Sequence, residues 1–177
     1  MKKLAIFLLG ATLVLAFAGA AMAAPVAVNE PGQLSASVEL GGIGIGYGVT
    51  DNLTIHVETP WFTGIAGDVT GKLNDSLYWQ VSGIYLLYGL GYGIAGGVYT
   101  PVVEEDNLAV LVGGQVSYAA IMDPYEEDYL SGISVGGGVE AQYKVSETVM
   151  IYGDLSVSYV PGDGIGIGYN LGVNVAF

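Results

Sequence analysis

The 177-residue chain predicts an all-β fold: a membrane-spanning, up-and-down antiparallel β-barrel of eight strands. Three observations predict it. Apolar residues alternate with small or polar ones along almost all of the chain beyond residue 33, the period-two pattern of strands with one greasy face. The composition is 52% hydrophobic, yet after residue 23 there is no run of the roughly 18 apolar residues that a transmembrane helix needs. The other face is mostly Gly, Ser, Asn and Gln, and charged residues make up only 12% of the chain. A soluble barrel would turn a face rich in Lys, Glu and Arg to water. An apolar exterior around a polar interior is instead the pattern of a barrel in lipid.

The N-terminus reads as a secretory signal. Lys2 and Lys3 precede the apolar stretch 4–17, and Ala21-Met22-Ala23 supplies small residues for cleavage before Ala24. The expected division is signal peptide 1–23 and barrel domain 24–177, with the outer membrane as destination. No cysteine is present, which excludes a disulfide framework and a lipid-anchored cysteine. Beyond residue 23 only Lys72 and Lys144 are basic, against 17 acids. That balance repels phosphate and argues against nucleic acid as a partner.

The strands can be read in order. Leu34, Ala36, Val38 and Leu40 oppose Ser35, Ser37 and Glu39, and the phase slips at Gly41-Gly42. Ile43, Ile45, Tyr47 and Val49 continue to the turn at Thr50-Asp51-Asn52. Leu53, Ile55 and Val57 oppose Thr54, His56 and Glu58, with Trp61-Phe62 closing the strand. Residues 63–75 read as a loop. Residues 76–102 are long and glycine-rich, and Glu104 to Asn107 make a charged turn. Three more alternating segments follow over 108–118, 133–144 and 149–159. The last stretch, Gly164 to Phe177, alternates strictly and ends on an aromatic residue.

These breaks define seven segments, and bacterial barrels have even strand numbers. The eighth strand requires one more reversal, either at Gly41-Gly42 or near Gly89. With the C-terminus in the periplasm, where turns are short, the Gly41-Gly42 reversal puts every long loop outside and is preferred. Segment length favours the Gly89 alternative, since spanning strands take about 9–11 residues.

With these features the chain resembles small outer-membrane β-barrel proteins of the OmpA-transmembrane-domain and OmpX type. The resemblance rests on the signal peptide, the alternating strands, the terminal Phe177 and the hairpin Tyr47-Gly48-Val49-Thr50-Asp51-Asn52-Leu53. It implies a non-enzymatic structural or surface-interaction role, with outer-membrane lipid, lipopolysaccharide and the barrel-assembly machinery as partners. Tyr169, Leu171, Val173, Val175 and Phe177 would form the assembly signal. No periplasmic domain is expected after Phe177, so peptidoglycan tethering is not implied.

Candidate site residues follow from the faces. Glu39, His56, Glu58, Glu140, Lys144 and Asp154 fall on the inward face. They suit either an internal polar network or a narrow passive channel for ions or small solutes, the alternative function. Acids outnumber bases there, so water or counterions are expected. Gly91, Gly93 and Gly96 match a dinucleotide fingerprint, but Val98-Tyr99-Thr100-Pro101 follows where that motif needs a helix. His56 is the sole histidine and has no serine near it in sequence in the pattern of a barrel lipase. No catalytic residue, cofactor or resident metal is expected. Asp123, Glu126, Glu127 and Asp128 in the 122–131 loop could attract divalent cations through carboxylate oxygens, though their spacing matches no EF-hand.

Overall fold

Ten strands, not eight, close the barrel in the computed structural model, which describes residues 29–60, 64–87, 90–122, 129–161 and 164–177. They are β1 (Leu34–Glu39), β2 (Ile43–Thr50), β3 (Leu53–Thr59), β4 (Gly64–Asn74), β5 (Leu77–Leu86), β6 (Gly91–Glu104), β7 (Leu108–Met122), β8 (Tyr129–Lys144), β9 (Val149–Val160) and β10 (Gly164–Ala176). Each strand pairs antiparallel with the next, and β10 returns to β1. The expected signal peptide, the 122–131 loop between 123 and 128, and Trp61-Phe62 lie outside the described residues.

The correction from eight to ten has three parts. Both candidate reversals are real. Glu39 and Gly42 exchange backbone hydrogen bonds of 2.9 and 3.3 Å across the Leu40-Gly41 tip, so the phase slip is a hairpin. The long segment 76–102 divides into β5 and β6, with Leu90 N donating to Leu87 O at 3.4 Å in the connection. The third part is β4, which occupies the segment read as a loop. Its glycines, Asp68 and Lys72 look like loop chemistry when scanned locally. In the wall they alternate correctly: Ala66, Asp68 and Thr70 are buried inside, and Ile65 and Leu73 are exposed outside. On the outer face the Trp79 ring covers its register partner Gly71, which compensates for the missing side chain.

Both chain ends of the barrel lie together. Leu34 N donates to Phe177 O at 3.3 Å, and Phe177 N to Leu34 O at 2.9 Å. Connections at this end are short (51–52, 75–76, 105–107 and 145–148). The opposite end carries the remaining connections, including 123–128.

The faces follow the alternation. Ile45, Val57, Ile94, Val116, Leu155 and Leu171 point outward and are exposed, as are Tyr47, Tyr143, Tyr159 and Tyr169. Inside lie Ser35, Ser37, Thr70, Gln80, Ser156 and Asn174, all buried. A closed ladder with this polarity satisfies its backbone internally and offers lipid an uncharged surface.

On β10, Val173 is outward and Asn174 is buried, with no hydrogen bond to its Oδ1. Val173→Arg therefore puts a charge in lipid and lowers folding stability by about 2–4 kcal/mol. Asn174→Ser removes no bond from Oδ1 and costs less than about 1 kcal/mol. Urea titration in lipid vesicles, read by the mobility of unheated samples, compares the two; equal effects would mean the faces are reversed.

Candidate functional site

The alternation of five strands delivers carboxylates to one interior. Glu39 on β1, Glu58 on β3, Asp68 on β4, Glu140 on β8 and Asp154 on β9 are all buried, between 1% and 7% exposed. His56 on β3 is buried with them. Five of the six sequence candidates thus point into the lumen. Lys144 does not: it ends β8 at the short-turn rim and is exposed, where water solvates its ammonium.

The interior is organised in two groups. In the first, His56 is central. Its Nε2 lies 3.1 Å from Ser37 Oγ, and its Nδ1 lies 3.3 Å from Asp68 Oδ2. The second contact is a charge pairing, since Nδ1 has no acceptor in hydrogen-bond alignment. Asp68 Oδ1 accepts from Thr70 Oγ1 at 3.3 Å and from Gln80 Nε2 at 3.4 Å. In the second group, direct register neighbours carry the chemistry: Glu140, Asp154 and Asn170 stand side by side on β8, β9 and β10. Asn170 Nδ2 donates to Glu39 Oε2 at 2.8 Å, and Gln142 Nε2 donates to Glu140 Oε1 at 2.6 Å. Both oxygens of Asp154 are buried without a hydrogen-bond partner among the described residues.

Ser37, His56 and Asp68 stand in the order nucleophile, base, acid. Acyl transfer also needs space for a substrate beside the nucleophile. Ser37 is 2% exposed, and a Cβ at Gly44 would lie 2.8 Å from its Oγ and 2.5 Å from the His56 ring. The arrangement is therefore a tightly packed polar cluster, held by one hydrogen bond and one charge pairing. Among the described residues no group of three His, Asp or Glu side chains is placed to hold a metal ion.

Aromatic rings fill the rest of the bore. Tyr99 and Tyr152 are the largest fully buried side chains. Tyr99 packs with Leu111, flanked by Tyr78 and Ala109. Glycines make the room: a Cβ at Gly97 would stand 2.8 Å from the Tyr99 hydroxyl, and one at Gly172 would stand 2.5 Å from Tyr152 Cζ. Separate cavities lie beside them. One of about 30 Å³ touches Glu58, Asp68, Ser82 and Ser117. Another of about 220 Å³ opens at the short-turn mouth between Glu104, Glu105, Gln142 and Lys144.

Asp68, Thr70, Gln80, Tyr99 and Tyr152 are among the interior residues that sequence reading missed. Asp68 sits in the segment read as a loop. The tyrosines were available from phase alone: Tyr152 shares the parity of Asp154 and Ser156, and Tyr99 that of Ala95 and Gly97. The expected assembly residues Tyr169, Leu171, Val173, Val175 and Phe177 all face outward along the closing strand.

Fold, apolar exterior and polar interior together define the class: a small β-barrel of the outer-membrane type. No protein-family model matches the chain, and no curated protein matches it. Similarity to solved structures is at the level of the barrel. Neisserial surface protein A shows 14% identity over 82% of this chain and 94% of that one, with a TM-score of 0.47. The NanC porin shows 10% identity over 81% and 98%, with a TM-score of 0.46. The N-terminal β-barrel domain of Pseudomonas aeruginosa OprF shows 15% identity over 84% and 100%, with a TM-score of 0.40.

Two substitutions probe the packed interior. Gly172→Ala drives a methyl into the Tyr152 ring and costs about 1–3 kcal/mol. His56→Ala breaks the buried pair with Asp68 and costs about 3–5 kcal/mol. Both appear as lower urea midpoints of the refolded barrel, and a wild-type midpoint for His56→Ala would remove the pair from the energetics.

Proposed function

We propose that the protein is exported and resides in the outer membrane as a non-enzymatic barrel with a structural or surface-interaction role. The observation that carries this reading is the combination of a lipid-facing exterior with a bore occupied by Tyr99, Tyr152 and the Glu39–Asn170 and Glu140–Gln142 pairs. A side chain buried to 1 or 2% leaves no water film beside it, and solute passage needs one. The sealed Ser37 supports the non-enzymatic part, because its hydroxyl has no approach for an ester or amide. In this reading the outward residues of β10, Tyr169, Leu171, Val173 and Val175, together with Phe177, serve the assembly machinery. Outer-membrane lipid and lipopolysaccharide surround the wall. The loop end of the barrel faces outward in this reading, and the acidic residues Asp123, Glu126, Glu127 and Asp128 would serve the divalent cations that bridge the lipopolysaccharide layer.

The second reading, a narrow passive channel, draws on the surplus of buried carboxylates and on the 220 Å³ mouth. Such a channel would favour cations.

Planar-bilayer recording separates the two. The refolded protein, verified by heat-modifiable gel mobility, is expected to give no reproducible conductance steps. Tyr99→Gly combined with Tyr152→Gly removes both rings and is expected to produce cation-selective steps. Steps in the wild-type barrel that change in Glu58→Gln or Glu140→Gln would establish the channel instead. Recovery of the exported chain in the soluble periplasmic fraction without detergent would end the membrane reading.

A further inference from the structure

The wall is not equally tall all round. β1, β2 and β3 have 6, 8 and 7 residues, whereas β7 and β8 have 15 and 16. A strand needs about 9–11 residues to cross the hydrocarbon layer. β1 starts flush with β10 at the short-turn end, where Leu34 is bonded to Phe177. At that end β4 outruns β3 by Lys72 to Asn74, although Lys72 N still donates to Asn52 O at 2.9 Å. The whole shortfall of β1 against β10 lies at the loop end. There β1 pairs with β10 only up to Gly172, with one further bond of 3.0 Å from Leu40 N to Leu171 O.

Beyond that bond β10 runs on to Gly164, paired to β9 alone. The seam bond uses the carbonyl of Leu171, and strand alternation turns the amides and carbonyls of Ile165, Ile167 and Tyr169 the same way. No described residue pairs with them. Their side chains point outward at 76%, 58% and 72% exposure, and Gly164, Gly166 and Gly168 alternate with them on the inner side. An unpaired edge at membrane depth is costly unless something takes its hydrogen bonds.

We propose that the gap above β1–β3 is a lateral notch that seats the hydroxyl-bearing head group of an outer-leaflet glycolipid against the free edge of β10. The occupant follows from continuity and from chemistry. The outward row Ile165, Ile167 and Tyr169 continues Leu171, Val173 and Val175, which meet acyl chains, so the neighbour of that edge is lipid. The edge presents both amides and carbonyls. Hydroxyls donate and accept and can serve both, while a phosphate oxygen can only accept. A second copy inserted the same way would bring its own β10 in parallel, and a two-fold axis along the membrane normal does not align two such parallel edges for a regular ladder.

Amide hydrogen exchange on the unmodified protein tests the hydrogen bonding. In nanodiscs containing lipopolysaccharide, the amides of Ile165, Ile167 and Tyr169 are expected to exchange several-fold more slowly than in phosphatidylcholine discs, while those of Val157 and Leu155 stay the same. Equal protection in both discs overturns the proposal. The absence of cysteine permits a second measurement, with single nitroxide labels at Gly166→Cys and Ser117→Cys in barrels verified by heat-modifiable mobility. Both positions face inward, but only Gly166 borders the notch. A lipid-anchored nickel chelate is expected to relax the Gly166 label several-fold more than the Ser117 label. Equal relaxation overturns the notch. Shielding of the Gly166 label from both lipid-anchored and water-soluble nickel would overturn the lipid and assign the edge to a polypeptide strand.

Discussion

A backbone in hydrocarbon has no water to bond, so its amides and carbonyls must find other partners, and along the closed wall those are neighbouring strands. The rest of this structure depends on that closure. It explains why Leu34 and Phe177, far apart in sequence, exchange hydrogen bonds at the rim, and why β1 and β10 meet along Ser35–Glu39. It also explains how weak local segments become wall. β4 has three glycines in eleven residues and would have little reason to be a strand in isolation. Between β3 and β5 its ladder is completed on both sides, and the ring of Trp79 lies over Gly71.

Closing ten strands rather than eight widens the bore, and the extra room must be filled or hydrated. Here large rings fill it, and small residues beside them on the same or the adjacent strand admit them. Tyr152 rests over Gly172, Tyr99 over Gly97, and His56 over Gly44. These three inward glycines are therefore each the counterpart of a specific ring. The polar interior is organised on the same terms. Burial makes unpaired carboxylates expensive, and amides relieve the cost where they reach: Asn170 for Glu39, Gln142 for Glu140, Gln80 for Asp68.

Much of the interior was legible in the residues. Period-two phase alone puts Glu39, His56, Glu58, Glu140 and Asp154 inside, because one greasy face leaves no other direction for a charge. Lys144 shares that phase, yet it ends its strand, and at a rim the phase no longer decides between lumen and water. Asp68 escaped because face is meaningful only once a strand is recognised. The meeting of Ser37 with His56, and of Asn170 with Glu39, was beyond reading, since the second pair is 131 positions apart and joined only by the seam.

By itself the sequence determined the class of the protein: alternation set the two faces, and the scarcity of charge on both of them set lipid as the solvent outside. It also determined that the last strand is a lipid-facing one. Strand number was decided only by tertiary structure. A glycine pair inside a strand and a glycine pair at a reversal look alike locally, and what distinguishes Gly41-Gly42 from Gly113-Gly114 is whether the next strand is there to pair. The same reason governs the height of the wall. Length of alternation cannot say where a neighbour stops, so the low rim over β1–β3 and the free edge of β10 exist only in the register of the closed barrel.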